Sequence, residues 1–219
     1  MKRPWLVLVV VGLGVFANSL DNPFHFDDHH SIEYNPNIRS LDRIPGYLVD
    51  PGAFSSRPRG FMYRPLLLTT YAVDHAAWGH GEAFGYRLTN LALHVAMSAL
   101  FAIWVHRLLR RRGLALAAGV LFLAHPVHAE VVNYVSSRSD LLSGLLLLLA
   151  TVALKTDRRA LGIAGYAAAL LSKSTAVTLP VLLALSQFTR GAVDGLSRSW
   201  WAAMAAVTAG YIGVLAATR

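Results

Sequence analysis

The sequence predicts an all-α, polytopic membrane protein, and three observations carry that prediction. Of its 219 residues 55% are hydrophobic and 15% charged, with a mean hydropathy of +0.45, where soluble proteins average about 25% charged. The apolar residues fall in runs at 4–20, 86–106, 114–135, 141–154 and 200–218, and one crossing of the hydrocarbon core takes about 20 such residues. The basic residues collect between those runs. Composition of this kind excludes soluble enzyme folds and disordered tails, and a chain with no cysteine cannot be a disulfide-stapled module. The missing cysteines say nothing about compartment.

The net charge of +8 reads as topology rather than nucleic-acid binding. Lys2 and Arg3 precede the first run, Arg107 and Arg110 to Arg112 follow the second, Lys155, Arg158 and Arg159 follow the fourth, and Arg190 and Arg198 precede the last. Between them, residues 21–64 balance five Arg against six acids. Lys and Arg accumulate on cytoplasmic loops, so the amino terminus is cytoplasmic and the first span, Pro4 to Leu20, leads out. Ala17 and Ser19 would also suit a secretory cleavage site; an uncleaved anchor is the expectation adopted.

The second span, Tyr86 to His106, returns to the Arg cluster; the third, Leu114 to Val135, goes out; the fourth, Leu141 to Leu154, comes back. Ser172-Lys173-Ser174 and Pro180 divide residues 160–189 into two apolar pieces. A hairpin with Lys173 near its outer tip keeps Arg190 and Arg198 inside, as the charge rule prefers, whereas one bent span would not. About seven spans result by that rule, the last ending outside at Arg219. The chain stops there, which points to a piece of something longer. Residues 21–85 form a long first exoplasmic loop, too short for a sizeable core of its own. It is punctuated by Asn35-Pro36-Asn37, Asp50-Pro51-Gly52 and Arg57-Pro58-Arg59-Gly60. A helix is expected from Pro65, a residue suited to a first helical position, to Trp78, lying on the membrane as an interfacial helix. There is no internal repeat.

Ionisable residues at membrane depth are costly and mark function by default. Phe26-Asp27-Asp28-His29-His30 places two carboxylates beside two imidazoles, a set able to supply a general base or a metal site, or merely to begin a polar loop. In His125-Pro126-Val127-His128-Ala129-Glu130 the proline bends the helix and the two histidines share a face. Glu130 points elsewhere in a regular helix, which disfavours a three-ligand zinc site. Buried polar groups supporting a bend are the plainer account. Ser136-Ser137-Arg138-Ser139-Asp140 can hold a phosphate or simply cap the fourth span through Ser139 or Asp140. Lys173 can serve a site or snorkel, and Arg64 and Arg87 add positive charge on the same side. A base converging with several cations is what transfer from a lipid-linked phosphosugar requires.

The sequence resembles the amino-terminal membrane part of the transmembrane and tetratricopeptide-repeat-containing O-mannosyltransferases and their bacterial relatives, in the GT-C superfamily. The matching pieces are FDDHHSIEYNPNI (26–38), YRPLLLTTYAVDHAAWG (63–79), YRLTNLALHVAMSALF (86–101), HPVHAEVVNYVSSRSDLLSG (125–144) and LLSKSTAVTLPVLLAL (170–185). They occur in family order. The resemblance implies a GT-C-type helical bundle over residues 1–219, a polyprenyl-phosphate-linked hexose donor, mannose by family habit, and transfer to Ser or Thr of a protein acceptor. It places the site in the periplasm at a bacterial inner membrane, or in the lumen of the endoplasmic reticulum. By this resemblance Asp27 or Asp28 removes the acceptor proton in an inverting transfer, and Arg138, Lys173 and Arg64 face the donor phosphate. His29, His125, His128, Glu130 and Ser172 would shape the pocket, with Asp28, His128 and Glu130 as candidates for a divalent metal. Ser174 stands where the family often has Glu, and the tetratricopeptide repeats are absent. A transporter or lipid flippase would use similar residues but usually shows two repeated halves, which are not visible; a non-catalytic scaffold is the third reading.

The charge pattern yields a topology prediction. In Arg111→Cys and Arg158→Cys variants a membrane-impermeant probe labels from the cytoplasmic side alone, because Asp28, Arg138 and Lys173 belong to the opposite side. Labelling of either cysteine from the exoplasmic side overturns this assignment.

Overall fold

A computed structural model describes residues 4–57, 62–79, 81–154, 156, 158–190 and 197–218. Lys2, Arg3, Pro58, Arg59, Gly60, Lys155 and Arg219 lie outside the described residues. Nine α-helices and no strand occur among the described residues. In order they are α1 (Pro4–Phe16), α2 (Pro65–Trp78), α3 (Ala83–Leu109), α4 (Arg112–Ala124), α5 (Ala129–Asn133), α6 (Arg138–Leu154), α7 (Arg159–Leu170), α8 (Leu179–Arg190) and α9 (Arg198–Ala217).

At 1.5 Å per residue, α3 is about 40 Å long, more than a hydrocarbon core about 30 Å thick. It therefore separates Arg87 at one end from Arg107 at the other. By length and composition α3, the Val135–Leu154 segment ending in α6, and α9 are each able to cross a membrane. The α4–α5 pair makes a fourth candidate, bent by 49°. The expected third span is thus not one helix. His125, which precedes Pro126, is extended (φ −68°, ψ 130°), because the proline ring disfavours helical geometry in the residue before it. Among the described residues three helices, or four with the bent pair, are long and apolar enough to cross a membrane, while α1, α7 and α8 are apolar but shorter, and α7 and α8 are separate helices with Lys173 between them.

α1 packs on α3 and α4, α3 on α6, α6 on α7, and α7 on α9. At Gly162 a Cβ would come within 2.5 Å of the Trp200 ring, so glycine is what lets α7 and α9 meet this closely. Many large apolar side chains face outward, including Val10, Leu121, Val181 and Phe188, as lipid contact requires.

The loop before α2 builds more than its length promised, because it borrows partners. Phe24, Ile32, Ile38, Tyr47 and Phe54 pack with Leu67, Leu68 and Tyr71 of α2, Tyr86 of α3 and Val135 in a single apolar cluster. α2 forms over the expected residues with Pro65 in its first turn. Leu67, Leu68 and Tyr71 are covered by protein, so this face of α2 is a strut inside the cap, while Val73 and Trp78 remain exposed on the other side.

Beneath the cap lies a buried ion pair. The Arg138 guanidinium, 0% exposed, meets Asp74 Oδ2 at 2.6 Å and donates to Asn90 Oδ1 (2.7 Å), the Tyr86 carbonyl (2.8 Å) and Thr70 Oγ1 (3.2 Å). It also sits 4.9 Å from the centre of the Tyr71 ring. Thr89 donates to the other Asp74 oxygen at 2.8 Å. Burial pushes the Asp74 carboxyl above its usual range, against the opposing pull of Arg138. Residues of α2, α3 and α6 are thereby joined through one charge.

Asp74→Ala strands that guanidinium in a dry site, and removing one partner of a buried pair costs about 3–5 kcal/mol. Lys173→Ala, which breaks a partly exposed pair with Asp140, costs less than about 1 kcal/mol. Unfolding midpoints of the two variants in detergent check the contrast.

Candidate functional site

Neighbouring residues in a helical turn are rotated about 100° from one another, so Asp27 and Asp28, which lead into the helical turn His29–Glu33, point in different directions. The turn is set by Phe26, whose φ of 47° is left-handed, an uncommon geometry for a bulky residue and one that concentrates at functional sites. Phe26 is held there by edge-on contact with the Tyr134 ring.

Asp28 faces inward and is 0% exposed. Its Oδ1 accepts from the Ser136 N–H (2.7 Å) and hydroxyl (2.6 Å), and its Oδ2 from the N–H groups of His25 (3.3 Å) and Val135 (3.4 Å). The three bonds from Val135 and Ser136 tie the loop to the segment entering α6, and the one from His25 closes the turn itself. Asp27 faces outward, its side chain 64% exposed. His30 Nε2 lies 3.2 Å from Asp27 Oδ1, and the Asp27 N–H donates to the Tyr134 hydroxyl at 3.1 Å. Burial, with the charges of Asp27 and Asp28 nearby, pushes the Tyr134 phenol up to about 12. It therefore keeps its proton at neutral pH.

Asp27 opens onto a cleft of about 500 Å³ shared with Arg57, Arg64, Ser139, Asp140 and Lys173, with Phe54, Met62 and Tyr134 in its walls. Arg64 enters from the residue before α2, lies over the Phe54 ring at 5.5 Å and donates to Ser139 Oγ at 3.3 Å. Lys173 pairs with Asp140 at 2.5 Å. Three cations and two carboxylates thus line the cleft, so an excess of positive charge stands opposite an accessible carboxylate.

Other expected site residues lie elsewhere. Arg138 does not line the cleft; its donors are committed to Asp74, Asn90, Tyr86 and Thr70 in the interior, which removes it from the phosphate-facing set. α6 begins at Arg138, so Ser139 and Asp140 sit within the first turn instead of capping it. Ser172 is buried and donates to the Ala168 carbonyl. His29 is directed away, bonded to Glu33 and stacked on Tyr34. His125 accepts from the Val127 N–H at the break after α4, His128 packs on His94 and Phe122, and Glu130 is exposed at the start of α5. This is the polar support of a bent helix. Among the described residues no three His, Asp or Glu side chains are grouped to hold a metal ion; Asp28, His128 and Glu130 do not meet. Sequence reasoning missed Tyr134, for which spacing offers no signal at a separation of 107 residues. It also missed the specific place of His30, although three residues after Asp27 is a spacing that brings helical side chains together.

A helical integral membrane protein with an acidic, cation-lined cleft at one end of its long helices is the class these features define. No protein-family model matches the chain, and no solved structure matches it. Among curated proteins it is similar to Protein O-mannosyl-transferase TMTC2 of Mus musculus, 30% identical over 155 residues, which are 66% of this chain and 18% of that protein. Tmtc2 of Drosophila melanogaster is 30% identical over 199 residues (81% and 21%), and TMTC4 of Homo sapiens 33% over 163 residues (66% and 22%). The chain belongs to this TMTC O-mannosyl-transferase family. It spans about a fifth of the length of the relatives it matches.

The two aspartates respond differently to truncation. Asp28→Ala leaves buried N–H groups without an acceptor and lowers stability by about 2–3 kcal/mol, whereas Asp27→Ala stays within about 0.5 kcal/mol of the wild type. Unfolding midpoints in detergent measure both.

Proposed function

We propose that the full-length protein is a glycosyltransferase that moves a hexose, mannose in the first instance, from a polyprenyl-phosphate donor to a Ser or Thr hydroxyl of a protein on the exoplasmic side of its membrane. That side is the periplasm for a bacterial inner membrane and the lumen for the endoplasmic reticulum. The observation that carries this reading is the single cleft in which exposed Asp27 faces Arg64 and Lys173. The names of the relatives support it, and the cleft's position at one end of membrane-length helices suits a donor whose phosphate sits at the bilayer boundary.

In the proposed reaction Asp27 takes the proton as the acceptor O–H bond breaks. The oxygen bonds to the anomeric carbon, whose bond to the phosphate oxygen breaks, and that bonding pair leaves with the polyprenyl phosphate. One displacement inverts the anomeric centre. Negative charge grows on the departing phosphate, and cations placed beforehand at the boundary, where water screens less, stabilise it most at that moment. Arg64 offers a planar fork and Lys173 a point charge on a flexible stem, already shared with Asp140. Asp28 acts indirectly by fixing the turn that aims Asp27.

With the full-length protein, a labelled polyprenyl-phosphate sugar and acceptor peptides, Asp27→Asn lowers turnover by about 10²–10⁴ while donor binding persists. Arg64→Ala and Lys173→Ala weaken donor binding. Wild-type turnover in Asp27→Asn overturns the base assignment, and solute flux without donor would favour a transporter.

A further inference from the structure

Outside the transfer chemistry itself, one array next to Asp27 runs in a single direction. The Arg57 N–H donates to Ser55 Oγ at 3.0 Å, and Ser55 Oγ lies 3.0 Å from His30 Nδ1. An ionised Asp27 carboxylate only accepts, so the His30 nitrogen facing it is the donor, and in the neutral ring Nδ1 then accepts from the Ser55 hydroxyl, whose two lone pairs also leave room for the Arg57 N–H. A ring that accepts at Nδ1 carries its proton at Nε2. That nitrogen is the one 3.2 Å from Asp27 Oδ1.

The imidazole is also held mechanically. Its side chain is only 13% exposed, it rests edge-on against Phe54, and the His30 carbonyl accepts from the Ser56 N–H at 2.9 Å. Asn35 Nδ2, one helical turn on, donates to the carbonyls of Ala53 and Phe54. The segment carrying Ser55 is therefore strapped to the segment carrying His30, and both ring nitrogens have fixed partners. An exposed aspartate on a strained turn has rotamer freedom that a base in a reactive geometry must lose.

We infer that His30, donating from Nε2 to the carboxylate and braced at Nδ1 by Ser55, is the positioning residue of Asp27. It aims the carboxylate at the acceptor hydroxyl without touching substrate. The inference rests on reading Asp27 as the base, and it adds a role for the 51–57 segment, which serves the reaction through His30 as well as lining the cleft.

The test uses the geometry of amide replacements in the full-length protein, with turnover, acceptor KM, donor Kd and unfolding midpoint read for each variant. Gln places an N–H near the imidazole Nε2 position, whereas Asn places its polar atoms near Nδ1. His30→Asn lowers kcat by about 10- to 100-fold, the value of one hydrogen bond to a charged group, with KM and Kd within about twofold as expected when only transition-state alignment is lost. His30→Gln keeps kcat within about fivefold by restoring that bond. A residue that only straps the loop predicts the reverse order, with Asn the better replacement and losses that track the unfolding midpoint; that order, or equal activity in the two variants, overturns the inference. Asp27→Asn in the same assay separates the two levels. If it is active the base assignment itself falls, whereas inactive Asp27→Asn beside fully active His30→Asn removes only the role of His30. Should both His30 variants fail to insert, Ser55→Ala decides: a loss of about 3- to 10-fold in kcat at unchanged KM and midpoint upholds the array, and wild-type kcat overturns it.

Discussion

The buried charge of Arg138 is the constraint on which the cap of this protein depends. A guanidinium taken out of water must have its donors met nearly everywhere, since the penalty for leaving it unpaired exceeds what any single contact returns. Its partners lie on α2 and α3 while the charge itself comes from α6, so these helices can assemble in only one relative arrangement. Arg87 does similar work at the next position outward. It too is 0% exposed, and it donates to the carbonyls of Asn133 and Pro23, which ties the loop after α1 to the end of α5. Two buried arginines thus stand where a purely apolar core would pack as tightly but specify less.

That arrangement decides what the two adjacent aspartates do. The same bonds that hold the start of α6 beside the loop bring Ser136 and Val135 to Asp28, which leaves that carboxylate buried and engaged on both oxygens. Asp27, one residue earlier and rotated away, keeps its exposure and meets cations delivered from the start of α2 and from the break between α7 and α8. Phe26 carries the cost of this division in its left-handed backbone, and the Tyr134 ring that supports it belongs to the residue whose hydroxyl receives the Asp27 N–H. The opposite orientation of the two aspartates and the local strain are here two aspects of one turn.

The same logic explains the relation between the cap and the membrane part. A loop of this size cannot bury enough apolar surface alone, yet it folds by enclosing α2 and the first turn of α3, so its order is inherited from the helices. The helices in turn show apolar faces outward and keep their buried charged groups near the cap, with His94 and Ser98 buried further along α3. The relatives extend well beyond the stretch shared with this chain, and the cleft lies at the end where the cap sits.

Much of this was legible in the order of residues. Composition and apolar run length determine a helical membrane protein, Pro65 marks the start of α2, and Pro126 breaks the third apolar run, because all of these act through a few neighbouring residues and the solvent. The motif Phe26-Asp27-Asp28-His29-His30 stood out as a candidate site by its residue types, with a plain polar loop as the alternative. What sequence could not assign was which carboxylate faces out, that Arg138 serves the interior while Lys173 serves the cleft, or that His125, His128 and Glu130 support a bend and do not approach Asp28. Those outcomes are set by contacts between segments far apart in the chain, 33 residues from Lys173 to Asp140, 48 from Arg138 to Asn90 and 108 from Asp28 to Ser136. An exposed charge and a buried one carry the same letter, and only the packing of distant segments decides which of them water can reach.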